Sequence, residues 1–226
     1  RPPRFGKAAT ITASAVTSVG FGMMINPTWA SLPGYFFLGL VAGAILMLSK
    51  PLPSLTPILP TLAAFVVTLL ASWFVVETAN DGLLRVISPA LVAAIPGMAL
   101  AVGATELAAS QIISGASRLV FGMSQLALLV FGVIIGMHLA GPVAPQTPSS
   151  QMGSWSLYLA IIVVGLSLSV YLSAPPGSLF WLTAAIAVAL ITQQLASIVI
   201  APTHAGFLGA VMAVLFANLA TRIKTA

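Results

Sequence analysis

Leu119–Ala140 reads LVFGMSQLALLVFGVIIGMHLA, a run without one Asp, Glu, Lys or Arg. Coiled as a helix it rises about 33 Å, enough to cross a hydrocarbon core of roughly 30 Å. Seven similar runs flank it: Ala8–Ile25, Pro33–Ser49, Ile58–Val76 and Val86–Val102 before it, and Trp155–Leu172, Leu179–Ile200 and Ala205–Ala220 after it. The expected fold is all-α, a polytopic transmembrane helix bundle of about eight spans. Of the 226 residues 59% are hydrophobic and 5% charged, with a mean hydropathy of +1.12. Soluble domains carry roughly 25% charged residues, so no water-facing surface can be built from this composition.

The net charge of +5 is a topology signal and not a nucleic-acid footprint, because the basic residues are isolated between apolar runs. With eight spans and the N-terminus inside, Arg1, Arg4, Lys7, Lys50, Arg118, Arg222 and Lys224 fall on the cytoplasmic side. Only Arg85 falls outside, near Glu77 and Asp81. The lipid bilayer is therefore a partner, and nucleic acid is not. Trp29, Trp73, Trp155 and Trp181 stand near span ends, where indole rings anchor at the headgroups. There is no cysteine, hence no disulfide, thiol nucleophile or Cys-ligated metal. The first residue is Arg1 and not Met, as expected of a processed or excised chain.

The uncharged connector Gly141–Gly153 divides a first five-helix repeat, 1–141, from a partial second repeat of three helices, 142–226. Val19-Gly20-Phe21 is echoed by Val164-Gly165-Leu166, and Pro33-Gly34 by Pro176-Gly177. Pro60-Thr61-Leu62-Ala63-Ala64-Phe65 is echoed by Pro202-Thr203-His204-Ala205-Gly206-Phe207. Equivalent helices lie five spans apart, so the copies have opposite orientations, an inverted repeat as in many secondary transporters. The second copy is incomplete, short of two spans, and the counterpart of Pro96-Gly97 falls beyond Ala226.

Enzyme constellations are absent. His138 and His204 lie far apart near helix ends, and no carboxylate pair, phosphate loop or metal spacing occurs. No catalytic residue, metal or cofactor is expected. The informative stretch is Ile95-Pro96-Gly97-Met98, followed by Gly103–Arg118 with Glu106, Ser110, Gln111, Ser114, Gly115 and Arg118. Proline inside a helix removes a backbone hydrogen bond and clashes with the turn before it, and glycine weakens the helix further. Within a membrane the freed groups need protein or a water-filled cavity, and half-helix ends then bind substrate charges. A kink filled by neighbouring side chains is the alternative. Glu106 is the one acid away from the Glu77–Asp81 connector; it is read as a proton carrier or ammonium acceptor, against a solvated residue or a partner of Arg118. Ser110, Gln111 and Ser114 are candidates for a substrate hydroxyl, against ordinary helix-packing residues.

These residues resemble a known family. Ser88-Pro89-Ala90-Leu91 through Ile95-Pro96-Gly97-Met98-Ala99-Leu100, then Glu106-Leu107, then Ile113-Ser114-Gly115-Ala116-Ser117-Arg118-Leu119, are similar to the threonine/serine exporters. Ala174-Pro175, Phe207-Leu208-Gly209-Ala210 and Ala217-Asn218-Leu219-Ala220 look like that family's second half. The resemblance implies two five-helix halves and export of threonine, serine or a similar small amino acid, driven by the proton motive force across a bacterial-type cytoplasmic (inner) membrane. Substrate contacts are expected from Pro96, Gly97, Met98, Glu106, Ser110, Gln111, Ser114, Gly115 and Arg118, with Glu106 carrying the proton. A second copy of the chain or a partner chain supplies the missing helices. The alternative is a non-transporting scaffold or subunit completed by a partner; a membrane-embedded enzyme is the weakest reading, for lack of reactive side chains.

Overall fold

The computed structural model of the chain describes residues 5–142, 150–175 and 177–225, the side chains at 202, 203 and 221–225 excepted. Arg1 and Arg4, most of the 141–153 connector, Pro176, and the side chains of Pro202, Thr203, Arg222 and Lys224 lie outside the described residues.

The described residues form ten helices: α1 (Lys7–Ile25), α2 (Leu32–Met47), α3 (Leu59–Leu70), α4 (Val76–Ala79), α5 (Leu83–Leu91), α6 (Gly97–Ala108), α7 (Ile112–Ala140), α8 (Trp155–Tyr171), α9 (Ser178–Ala196) and α10 (Pro202–Thr225). A π turn, Ala71–Val75, joins α3 to α4 in one apolar helix, and a 3-10 turn, Val92–Ala94, extends α5. Pro33 and Pro60 sit in first turns, where a missing N–H costs nothing. Asn80, left-handed at φ 49°, ends α4. Four helices are long and apolar enough to cross a bilayer: Lys7–Ile25, Leu59–Ala79, Ile112–Ala140 and Ser178–Ala196. The pair Leu83–Ala94 and Gly97–Ala108, bent by 61°, makes a fifth crossing if counted as one span. Leu32–Met47, Trp155–Tyr171 and His204–Ala220 are apolar but shorter. The protein is a multi-pass membrane protein.

Lipid tails are as apolar as leucine, so helices associate here through close packing and interhelical hydrogen bonds. The first bundle, α1 to α5, follows that rule. Leu38, Val67, Val76, Val86 and Ile87 form its fully enclosed centre. The buried face of α1 is made of small residues, among them Ala13, Ser14, Ala15, Thr17, Ser18 and Gly20. The Ser14 hydroxyl donates to the Gly39 carbonyl at 3.2 Å, pinning α1 to α2.

On its other side α1 meets α8 in an antiparallel crossing. Gly20 lies against Val164, where an added Cβ would stand 3.3 Å from the Val164 backbone nitrogen. One turn away, the Thr17 hydroxyl donates to the Ser167 hydroxyl at 2.9 Å. The α9 helix packs on α8 and on α10.

Alternating directions give the bundle two distinct ends. The α1–α2 and α4–α5 connectors share one; the α2–α3 connector and the break after Ala94 share the other. The fourth apolar run differs from its expected span. It ends at the break, and its second part continues to Ala108 as α6 in a new direction. The polar stretch Gly103–Arg118 is not one amphipathic segment, because it divides between the end of α6, a turn and the start of α7. At 29 residues, α7 is about 43 Å long, well beyond a bilayer core. Its second half packs on α3 and its first half pairs with α6.

Candidate functional site

The residue before a proline is driven from the helical region. Ile95 accordingly turns extended at ψ 130°, and Pro96 then caps α6. The Gly97 N–H donates to the Ile95 carbonyl at 2.8 Å and the Leu100 N–H to the Pro96 carbonyl at 3.2 Å, which settles the new helix start. Behind the break lies a cavity of about 350 Å³. Its wall takes Ser49, Thr56 and Pro57 from the α2–α3 connector, Pro96 from the break, Gln125 from α7 and Tyr171 from the end of α8. Gln125 is buried, and its Nε2 donates to the Pro57 carbonyl at 3.4 Å. The cavity therefore joins a helix end, hydroxyls and a carboxamide within otherwise apolar walls.

The polar residues after the break lie elsewhere. At Ser110, φ 64°, the chain turns back on itself, and Gln111 donates its N–H to the Glu106 carbonyl at 2.9 Å. The resulting hairpin brings α6 and α7 into backbone contact: a Cβ on Gly115 would stand 2.8 Å from the Gly103 carbonyl oxygen, and one on Gly103 3.0 Å from the Gly115 oxygen. That approach aligns Glu106 with Arg118. The Arg118 Nε lies 3.0 Å from Glu106 Oε1 and donates to Oε2 at 3.1 Å, while the Ser114 hydroxyl donates to Oε2 at 2.9 Å. The Glu106 side chain is 18% exposed and that of Arg118 53%.

The structure thus brings together three of the residues singled out in the sequence, Glu106, Ser114 and Arg118. Pro96 lines the cavity instead. Glu106 stands ten residues along α6 from it, about 15 Å of helix. The fold-back carries the start of α7 to Glu106 and does not carry Glu106 to the break. Gly97 has open space around it, and Met98 is 79% exposed. Ser110 and Gln111 are exposed turn residues, and Gly115 serves the helix contact. Ser49, Thr56, Gln125 and Tyr171 escaped the sequence reading; of these, Gln125 carried a signal, a carboxamide within an apolar span.

A family model described as "Putative threonine/serine exporter" matches residues 1–140, which include α1 to α7. The chain belongs to the threonine/serine exporter family. No curated protein and no solved structure matches it. The family is one of transporters, and the matched residues include the broken pair, the hairpin and all of the cavity wall but Tyr171.

Proposed function

We propose that this chain exports threonine, serine or a similar small hydroxy amino acid from the cytoplasm, driven by the proton motive force. The observation that carries this reading is the cavity at the helix break. Its volume lies at the lower end of the range for small-molecule sites. Pro96, the cap of α6, lines the cavity, and the first turn of α6 that begins there carries a partial positive charge suited to a substrate carboxylate. Ser49, Thr56 and the Gln125 carboxamide offer partners for a hydroxyl and an ammonium. Glu106 is the proposed coupling carboxylate, exchanging Arg118 for a proton.

The proposed topology has eight spans, the N-terminus in the cytoplasm and the break end facing it, in a bacterial-type inner membrane. The charges favour this orientation, since the connector bearing Lys50 lies at the break end and Asp81 and Arg85 at the other. An inverted repeat also fits. The α1–α8 crossing brings Gly20 against Val164, so the two copies of the repeated Val-Gly triplet meet where a pseudo-twofold axis would pass.

Purified protein in liposomes loaded with labelled threonine tests the reading. Efflux accelerated by an inward proton gradient is expected, and Gln125→Leu should raise the threonine concentration needed for half-maximal rate. Efflux equal to that of protein-free liposomes would discard export in favour of a scaffold.

A further inference from the structure

At the end of the bundle opposite the break stands a polar nest unused by the reading above. Asp81 is read from the sequence only as part of the outer Glu77–Asp81 connector, yet it is 3% exposed. The other two acids differ: Glu77 is exposed and Glu106 is paired. Burying a carboxylate costs several kcal/mol unless donors surround it. Here they come from separate segments. The Asn26 carboxamide, at the end of α1, donates to Asp81 Oδ2. The Thr28 and Ser31 hydroxyls each lie 3.4 Å from the same oxygen and 2.6 Å from one another. The Gly82 N–H donates to Oδ1 at 3.0 Å. Tyr35, fully buried on α2, accepts from the Asn26 Nδ2 at 3.2 Å and donates to the Asn26 backbone carbonyl at 3.1 Å.

The same segment holds the second half of the molecule. The Met152 N–H donates to the Pro27 carbonyl at 2.6 Å, and Thr28 pairs with Gln151 in an isolated β-bridge. Met152 is buried beneath this contact, and the Trp29 and Trp155 rings lie 5.8 Å apart beside it. Whatever loosens 26–31 therefore loosens the cover formed by 151–155.

We propose that Asp81 is a proton-binding latch that holds this end of the transporter shut while ionised and releases it when protonated from the adjoining aqueous side. Asp81 takes one proton from water onto Oδ2. The hydroxyls of Thr28 and Ser31 can rotate to accept from it. The Asn26 Nδ2, which also donates to the Tyr35 hydroxyl, stays a donor: its N–H is left facing a neutral, protonated oxygen in place of a charged acceptor, and the tie between α1 and the α4–α5 connector is weakened. Among the described residues the charged or titratable groups facing Asp81 are Arg85, 3.8 Å away and 60% exposed, and the Tyr35 hydroxyl. The proton removes one negative charge from beside the Arg85 guanidinium. The idea rests on the proton-driven export reading, since a proton entering at this end is what export driven by an inward proton gradient requires.

The test measures opening and not flux, so it stands apart from that reading. The native chain has no cysteine. Met152→Cys and Ser154→Cys are each placed in the full chain, reconstituted in permeabilised vesicles, and labelled with a maleimide. The rate at 152 is divided by that at the exposed 154 position, which cancels thiol ionisation. Acidification should raise the ratio about tenfold, the loss of one hydrogen bond to a charged acceptor. Asp81→Asn should give a high, pH-independent ratio, and Asp81→Glu should retain the response. A ratio unaffected by pH in the otherwise native chain overturns the proposal, whether or not Asp81→Asn folds. So does an Asp81→Asn chain that follows the native response. Threonine efflux from sealed vesicles of the same preparation judges the export reading separately.

Discussion

Gly115→Ala is the smallest perturbation that reaches the α6–α7 hairpin. The added Cβ meets the Gly103 carbonyl oxygen, the Leu107 nitrogen and the Leu107 Cγ, each at 2.8 Å. Two of these atoms are backbone and cannot rotate away, so the helices must separate by about half an ångström or more along their whole contact. Overpacking of this kind costs about 1–3 kcal/mol. Alanine's better helix propensity returns less than about 1 kcal/mol. The net loss should raise hydrogen exchange of the central α6 amides by roughly three- to thirtyfold, at about 1.4 kcal/mol per decade. Gly97→Ala is the internal control, because nothing lies within 4 Å of its Cβ and the backbone there suits alanine. It should leave exchange unchanged or slow it. Native exchange in Gly115→Ala, or equal acceleration in both variants, would refute the backbone contact from which the Glu106–Arg118 pairing follows.

Single cysteines at Ser54 and Ser154 should label from opposite sides of sealed vesicles, with position 54 on the cytoplasmic side; labelling of both from one side would remove the eight-span topology. Glu106→Gln should cut proton-driven threonine efflux at least tenfold while the protein still inserts and purifies, whereas unchanged efflux would reduce the acid to a surface ion pair of the kind worth about 1 kcal/mol or less. Replacing Pro96 and Gly97 together by alanine should straighten the broken span and weaken threonine binding more than thermal stability, as followed by substrate-protection and melting measurements on one sample.

Apolar runs and charge asymmetry were enough to read a multi-pass helical protein, because a bilayer allows few solutions to a sequence of this composition. The break was legible for a local reason: Pro96 dictates the conformation of Ile95. The turn at Ser110 had no such marker. A serine occupies a left-handed position that glycine or asparagine usually signals. Hence Gly103–Arg118 read as one polar segment, although Gly103 and Gly115 were present to indicate two closely packed helices. Asp81 was missed for the opposite reason. An acid in a short polar connector normally faces water, and its burial depends on Asn26, Thr28 and Ser31, remote in sequence and close only after folding. The walls of the cavity combine polar residues from the α2–α3 connector, α7 and α8, a grouping without sequence spacing.

The crossing of α1 and α8 has a mechanical consequence. At Gly20 no side chain separates the α1 backbone from Val164, so a tilt of α8 about that close approach would make it a lever with that point as fulcrum. One arm runs nine residues to Trp155, about 13 Å, and the other seven residues to Tyr171, about 10 Å. Trp155 touches Trp29 at one end of the molecule, while Tyr171 lines the cavity at the other. A rotation of α8 that lifts Trp155 by about 1 Å swings Tyr171 the opposite way by about 0.8 Å, in the ratio of the two arms. A rigid helix turning on a glycine would thus carry displacement from one end of the molecule to the other, with its direction inverted and its amplitude nearly kept.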